Sequence, residues 1–373
     1  MIDAFVAGTV LLPDGAVAPG VILVDDGTIV AAGPQAAVVI PTGARLRDFG
    51  DTILGPGMID IHVHGGAGHD FMSADAAGIA AVTRHLARHG VTGFLATTVS
   101  APWGATRSAV ERLSRAGLRL HLEGPFLSPA RRGVHPVEDL LPPTLERLDQ
   151  LWQASSGRVA LITVAPELAG APEFIAAASA RGVAVSMGHS DADWRAAAAG
   201  YAAGARSVTH TFNAMPPLDH RAPGLLGFAL SQRELFAEII ADGIHVAPEM
   251  VDLFLRAKGR DRAVLVSDGI SATGCGDGRF CLGSIEVEVA HGACRAGGRL
   301  AGSVLTLDQA VRNVMRFAHW PLEDALRLAS ANPARLLRNS TKGRLTPSGD
   351  ADCVVLTSEG DIVAAFIAGR QVD

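Results

Sequence analysis

Between residues 55 and 344 short, continuously apolar runs alternate with Ala-rich helical stretches. A run that is apolar without alternation is buried on both faces, and parallel strands joined by helices are the arrangement that does this. Eight such runs can be read: Met58 to His62, Thr92 to Thr98, Leu118 to Leu122, Val159 to Val164, Val183 to Met187, Ser207 to His210, Phe236 to Ala241 and Ala263 to Ser267. Helical stretches at Ala74 to Arg88, Trp103 to Ala116, Glu173 to Arg181, Ala192 to Ala202 and Pro248 to Lys258 separate most of them. The pattern predicts an α/β protein with a (β/α)8 TIM-type barrel. The Gly- and Cys-containing segment 273–302 breaks the rhythm and reads as a β-hairpin insertion before a last helix starting near Leu305.

The chain ends have a different character. Residues 3–54 carry short β-like runs at Ala4 to Leu12, Val21 to Val24, Thr28 to Ala32 and Arg45 to Leu54, and the last stretch repeats this at Cys353 to Leu356 and Ile362 to Ile367. Both ends are expected to meet in one small β-sandwich, residues 1–54 with 345–373, flanking a barrel at 55–344.

Composition narrows the partners. With 48% hydrophobic and 19% charged residues in 373, the chain has ample material for a core. A net charge of −6 leaves no basic face for nucleic acid or an anionic membrane. The opening residues Met1 to Phe5 lack a basic leader region, and no apolar stretch reaches the ~18–20 residues that span a bilayer, so a soluble, cytoplasmic protein is expected. Cys275, Cys281 and Cys294 lack C-x-x-C spacing and are read as reduced thiols.

Barrel enzymes carry their chemistry at the C-terminal ends of the strands. The first strand ends in Asp60-Ile61-His62-Val63-His64, and alternation along a strand points His62 and His64 the same way. Glu123 ends the third strand, His189 the fifth, His210 the sixth and Asp268 the eighth. Any one of these alone reads more simply as a capped surface residue. Structural histidines, however, have no reason to fall on strand ends one, five and six while acids end strands three and eight. Imidazole with carboxylate suits zinc first, with Fe, Co, Mn or Ni as alternatives, and an open site lowers the pKa of bound water toward ~7. The remaining histidines, among them His121 and the i, i+4 pair His85 and His89, are left as structural.

The barrel, the flanking sandwich and the order H-x-H, acid, His, His, Asp resemble the amidohydrolase superfamily over almost the whole chain. Many of its members bridge two metals with a carboxylated Lys, but the two lysines here, Lys258 and Lys342, lie away from the strand ends. Glu123 within His121-Leu122-Glu123-Gly124-Pro125-Phe126 is similar to what the N-acetylglucosamine-6-phosphate deacetylase family has in that place. Further landmarks agree: Pro56 to Asp60, Arg132-Gly133-Val134-His135, Gly188-His189-Ser190, Thr209 to Met215, Ala241-Asp242-Gly243-Ile244-His245, Val266-Ser267-Asp268 and Leu300 to Ser303.

The resemblance implies an enzyme that hydrolyses the acetamide of N-acetylglucosamine 6-phosphate with one or two divalent ions per subunit. It implies Glu123, His189 and His210 as metal ligands, His62 and His64 at a second ion, and Asp268 near the metal as acid and base. His135 would lie beside the substrate carbonyl. Val134, Asn213, Ala214, Ile244, Leu300, Ala301 and Gly302 would line the sugar, and Arg221 and His245 would hold the phosphate in a homodimer that shares this site. An epimeric N-acetylhexosamine 6-phosphate is the nearest alternative substrate. A cyclic-amide hydrolase is disfavoured by the missing bridging Lys, and a non-catalytic barrel by the retention of every ligand with Asp268.

Overall fold

The computed structural model describes residues 1–372. Barrel strands are numbered β1 Met58–Val63, β2 Val91–Thr98, β3 Leu120–Glu123, β4 Val159–Val164, β5 Ala184–Met187, β6 Ser207–Val208, β7 Ala237–Ile239 and β8 Ala263–Leu265. Strands β1 to β6 pair in parallel in chain order, as do β7 and β8. Val208 N–H donates to Phe236 at 3.0 Å and Thr211 N–H to Glu238 at 2.8 Å, which joins β6 to β7. Asp268 N–H donates to the His62 carbonyl at 2.9 Å and His64 N–H to that of Gly269 at 2.7 Å. The parallel sheet therefore curls round until its last strand meets its first.

The helices follow from spacing and caps. The helix Ala171–Ala180 buries Ala171, Phe174, Ile175 and Ala178, a 3–4 spacing that puts one stripe on the sheet. Phe174 packs on Phe126 with ring centroids 4.7 Å apart, and truncating it to Ala would cost ~3–5 kcal/mol. Asp75 caps Ala76–Arg88 and Asp193 caps Trp194–Ala203, each accepting a backbone N–H at 2.8 Å, worth ~1 kcal/mol apiece. Leu145–Ala154 and Gly224–Ser231 add two helices to those expected from the sequence. The second, GLLGFALS, is nearly all apolar and so carries no helical periodicity.

The insertion corrects the expectation. In place of one hairpin, Gly278–Leu282, Ile285–Ala290, Ala293–Ala296 and Arg299–Leu300 form a four-stranded antiparallel meander. Val287 and Val289 turn inward while Glu286, Glu288 and Ala290 face out, and the inward face shares a core with Val99, Ile270 and Ala301 at the barrel mouth. The helix expected to be last runs Leu307–Ala318, but Leu322–Ala329 and Ala331–Leu336 follow it and pack against the first and last barrel strands.

The chain ends build two sheets. One pairs Asp3–Ala7, Gly20–Asp25, Thr28–Pro34 and Arg45–Asp48. The other joins Thr9–Leu12, Gly15–Val17 and Ile53–Pro56 to Cys353–Leu356, Ile362–Ile367 and Arg370–Gln371. Phe5, Ile22, Ile29, Leu54, Val355 and Phe366 are buried together between them. Among the described residues no helix is long and apolar enough to cross a membrane.

Candidate metal centre and active site

The strand-end residues named from the sequence converge. His62, His64 and Asp268 form one buried group of ligand atoms within 4.8 Å of one another, and Glu123, His189 and His210 form a second. Glu123 touches both. Its Oε1 lies 2.9 Å from Nε2 of His210, 3.1 Å from that of His189 and 3.4 Å from that of His62, while Oε2 is 3.3 Å from Nε2 of His64. Asp268 Oδ1 is 3.1 Å from Nε2 of His64 and 3.4 Å from that of His62.

The backbone is bent to bring these groups inward. His189, His210 and Asp268 have φ of 46°, 27° and 50°. Non-Gly residues in this region cost on the order of 1–3 kcal/mol each, and such strain persists where the surroundings impose it. Gly302 supports Asp268 from below. With φ of 60°, any Cβ there would come within 2.2 Å of Ile270 Cγ2 and 3.1 Å of the Asp268 carbonyl.

The donors fit a divalent cation. His189 Nδ1 lies 2.9 Å from the Arg131 carbonyl, an acceptor only, so this nitrogen carries the proton. Burial pushes the His189 imidazole down to about 4, leaving Nε2 as a lone pair 3.1 Å from a carboxylate oxygen and 3.1 Å from Nε2 of His210. Lone pairs aimed at one another are stable only around a cation, and a mixed imidazole and carboxylate set suits zinc or a neighbouring first-row ion. Burial opposes charge on Glu123, but His62 and the hydrogen bond from His135 outweigh it and hold the carboxyl well below its usual range.

His135 completes the mouth. Ser100 N–H donates to its Nδ1 at 3.2 Å, which puts the ring proton on Nε2, 3.6 Å from Glu123 Oε2. Arg132 Nη1 holds the His135 carbonyl at 2.6 Å, and Arg131 pairs with Asp191 at 2.7 Å, so both arginines of this loop are spent on its shape.

The sugar-lining candidates are spread over the same face. Asn213 Nδ2 donates to the His210 carbonyl at 3.3 Å, and Ala214, with φ of 51°, accepts from Ser190 N–H. Val134 and Ala301 pack in the core beneath the four-stranded insertion. Leu300 and Gly302 are partly exposed, and Ile244 is exposed. His245 Nδ1 bonds Asp242 Oδ2 at 2.6 Å; burial lowers its basicity, but this bond and charge raise it above the ordinary histidine value. Arg221 stands apart on an exposed turn, its backbone N–H held by Asp219 at 2.7 Å.

Several supporting residues lie outside the candidates that the sequence offers. Glu238, in the middle of β7, lies 3.3 Å from both His62 Nδ1 and the His210 backbone nitrogen. Asp60 accepts from His62 N–H at 3.2 Å, and burial raises its carboxyl to about 6. Glu167 holds Ser190 Oγ and Asp191 N–H at 2.7 and 2.6 Å, bracing the loop after His189. Their signal was an acid inside or beside an apolar run. His121 is structural as expected, set between the hydroxyls of Thr97 and Thr163. A cavity of about 1040 Å³ beside Leu12, Arg260 and Arg327 contains none of the converging side chains, so ligand chemistry and not cavity size marks the site.

Residues 53–372 match the model of the Amidohydrolase family. An N-acetylglucosamine-6-phosphate deacetylase of Homo sapiens is 40% identical over 348 residues, 87% of this chain and 85% of that protein. An N-acetylgalactosamine-6-phosphate deacetylase of Escherichia coli O157:H7 is 36% identical over 356 residues, 92% of each. Among solved structures, an Asp-to-Ala mutant of the Mycobacterium smegmatis N-acetyl-D-glucosamine-6-phosphate deacetylase, in complex with N-acetyl-D-glucosamine-6-phosphate, superposes with a TM-score of 0.94. It is 33% identical, and the match covers 100% of this chain and 99% of that one. From a metal-type ligand set on a closed parallel barrel and these relatives, the chain belongs to the amidohydrolases, in the N-acetylglucosamine-6-phosphate deacetylase family.

Proposed function

We propose that this protein hydrolyses the acetamide of N-acetylglucosamine 6-phosphate to glucosamine 6-phosphate and acetate, in amino-sugar catabolism or cell-wall recycling. The observation that carries this reading is the convergence on Glu123 of two histidine groups, with a ring N–H of His135 aimed at the same point. Glu123, His189 and His210 would hold one divalent ion, zinc by preference, and His62, His64 and Asp268 a second. Such an ion supplies Lewis acidity and makes water a better nucleophile near neutral pH.

The chain's own residues divide the remaining work. An amine anion is a poor leaving group, so a proton must reach the nitrogen as the C–N bond breaks. Asp268 takes a proton from the attacking water and hands it to the departing amine. His135 donates from Nε2 to the acetyl oxygen as charge develops there. Val134, Asn213, Ala214, Ile244 and residues 300–302 shape the sugar pocket, with Arg221 and His245 on the phosphate. Arg221 lies on an exposed turn, which suits a phosphate site completed by the second subunit of a homodimer. The two terminal sheets are read as one sandwich domain, residues 1–54 and 345–373, and the enzyme as cytoplasmic.

The Escherichia coli relative favours one second reading, a preference for the galactosamine epimer. Acetate release from the 6-phosphates of N-acetylglucosamine, N-acetylgalactosamine and N-acetylmannosamine tests both. The glucosamine substrate is expected to have the highest kcat/KM; no turnover of any of the three would overturn the proposal.

A further inference from the structure

We infer that Glu238 is a positioning residue for the histidine pair of the first strand, holding His62 in the one tautomer that can accept a second cation. This rests on the reading above that the paired groups hold metal.

The carboxylate is fully buried on β7, between Ala237 and Ile239, where an ordinary barrel strand carries an apolar side chain. Its Oε2 lies 3.3 Å from His62 Nδ1 and accepts the His210 backbone N–H at 3.3 Å. Its Oε1 has no partner among the described residues. A buried carboxylate with one oxygen unsatisfied destabilises the fold, so stability alone does not account for it.

His62 has little freedom of its own. Its ring is fully buried and packed edge to face on His121 at 4.6 Å and His64 at 5.2 Å. On its Nε2 side stand two carboxylate oxygens, Glu123 Oε1 and Asp268 Oδ1, each at 3.4 Å. Both attract a ring proton to Nε2, and a proton there occupies the lone pair that a cation needs. Glu238 is the acceptor on the other side. By accepting a hydrogen bond from Nδ1–H it keeps the proton there and leaves Nε2 open toward His64 and Asp268, the role that a carboxylate behind a metal-binding imidazole commonly has. The same oxygen holds the backbone of His210, so Glu238 ties the two ligand groups together.

Zinc binding to metal-stripped full-length protein tests this, with stoichiometry by native mass spectrometry and affinities by calorimetry. Wild type is expected to take two ions. Glu238→Leu should keep the ion at Glu123, His189 and His210 but raise the Kd of the second by about 10- to 100-fold, the usual effect of losing such an outer carboxylate. A purely structural role, acting through the His210 N–H that Glu238 also holds, would raise both Kd values together, whereas a positioning role raises the second alone. Glu238→Gln keeps an acceptor oxygen for Nδ1 without the charge, so its second Kd should rise only about 10-fold, the low end of that range. Should the Leu variant fail to fold, the Gln variant decides. Two ions bound with wild-type affinity in either variant would overturn the inference, as would loss of both ions together. Wild type that binds no zinc would instead overturn the metal reading on which it rests.

Discussion

Ser100 donates its backbone N–H to Nδ1 of His135 at 3.2 Å, with its Oγ at 2.9 Å from the same nitrogen, so the histidine faces the mouth of the barrel with a proton on Nε2. If that proton stabilises the oxyanion, His135→Ala should lose roughly 10²–10³ in kcat with little change in KM. Ser100→Ala keeps the backbone donor and should stay within a few-fold of wild type. Steady-state kinetics of both variants check this; a wild-type kcat in His135→Ala would remove the residue from the chemistry.

Asp268 gives a second test. Burial opposes its ionisation, but His62 and His64 beside it outweigh burial and bring the carboxyl below its ordinary value of 3.8. The base form is therefore present throughout the neutral range and is lost only as pH falls through the depressed value. Asp268→Asn should fold, keep an ion at Glu123, His189 and His210, lose roughly 10²–10⁴ in kcat, and lose the acidic limb of the pH–rate profile. A variant within a few-fold of wild type would refute the role.

Phosphate recognition predicts a selective loss. Charge-assisted hydrogen bonds contribute ~1.5–3 kcal/mol, so Arg221→Ala or His245→Ala should lower kcat/KM by roughly 10- to 150-fold for the 6-phosphate. The same variants should barely affect unphosphorylated N-acetylglucosamine. His245 is raised above 6.5 because its bond to Asp242 outweighs burial, so its positive charge persists past that pH and KM should climb as pH rises through the shifted value. Arg295 nearby works against the charge and limits the range. In a shared site, mixing Arg221→Ala with Asp268→Asn protein should restore activity; equal losses on both substrates would make Arg221 a support of the fold.

Asp308 offers a stability test away from the chemistry. It is buried, which disfavours its charge, yet His89 at 3.1 Å, Thr306 and Arg312 at 3.0 Å hold the carboxyl down at about 2, from 3.8. A lowered folded-state pKa means the stabilisation is fully present above the unfolded value and disappears as pH falls from near 4 to near 2. Asp308→Asn should therefore cost about 2 kcal/mol at pH 7 and progressively less in that acid window. Urea unfolding of both proteins from pH 7 to pH 2 measures it; a difference independent of pH would mean the loss is one of packing alone.

The barrel and the converging strand-end residues were legible because they are written in local patterns. Fully apolar runs marked the strands, and His62-x-His64, Glu123, His189, His210 and Asp268 stood at their ends. Glu238 lies inside its strand, away from the ends where barrel chemistry is expected, although an acid within Phe236-Ala237-Glu238-Ile239-Ile240 is an expensive residue for a core. The partner of His135 could not be read at all, since the donor is a backbone amide whose position depends on tertiary packing. The alternation in Ile285-Glu286-Val287-Glu288-Val289 announces a half-exposed strand, but its partners depend on turns at Gly283, Gly292 and Gly297, so the sequence alone reads as a single hairpin.

The central claim, hydrolysis of a sugar-phosphate acetamide at a metal held by Glu123, His189 and His210, is tested most directly by acetate release from N-acetylglucosamine 6-phosphate before and after removal of metal. Chelation and dialysis should lower the rate by at least ~10²-fold, and stoichiometric zinc should restore it, because the Lewis acid contributes several kcal/mol to the barrier. Full turnover by protein confirmed to be metal-free would contradict the account.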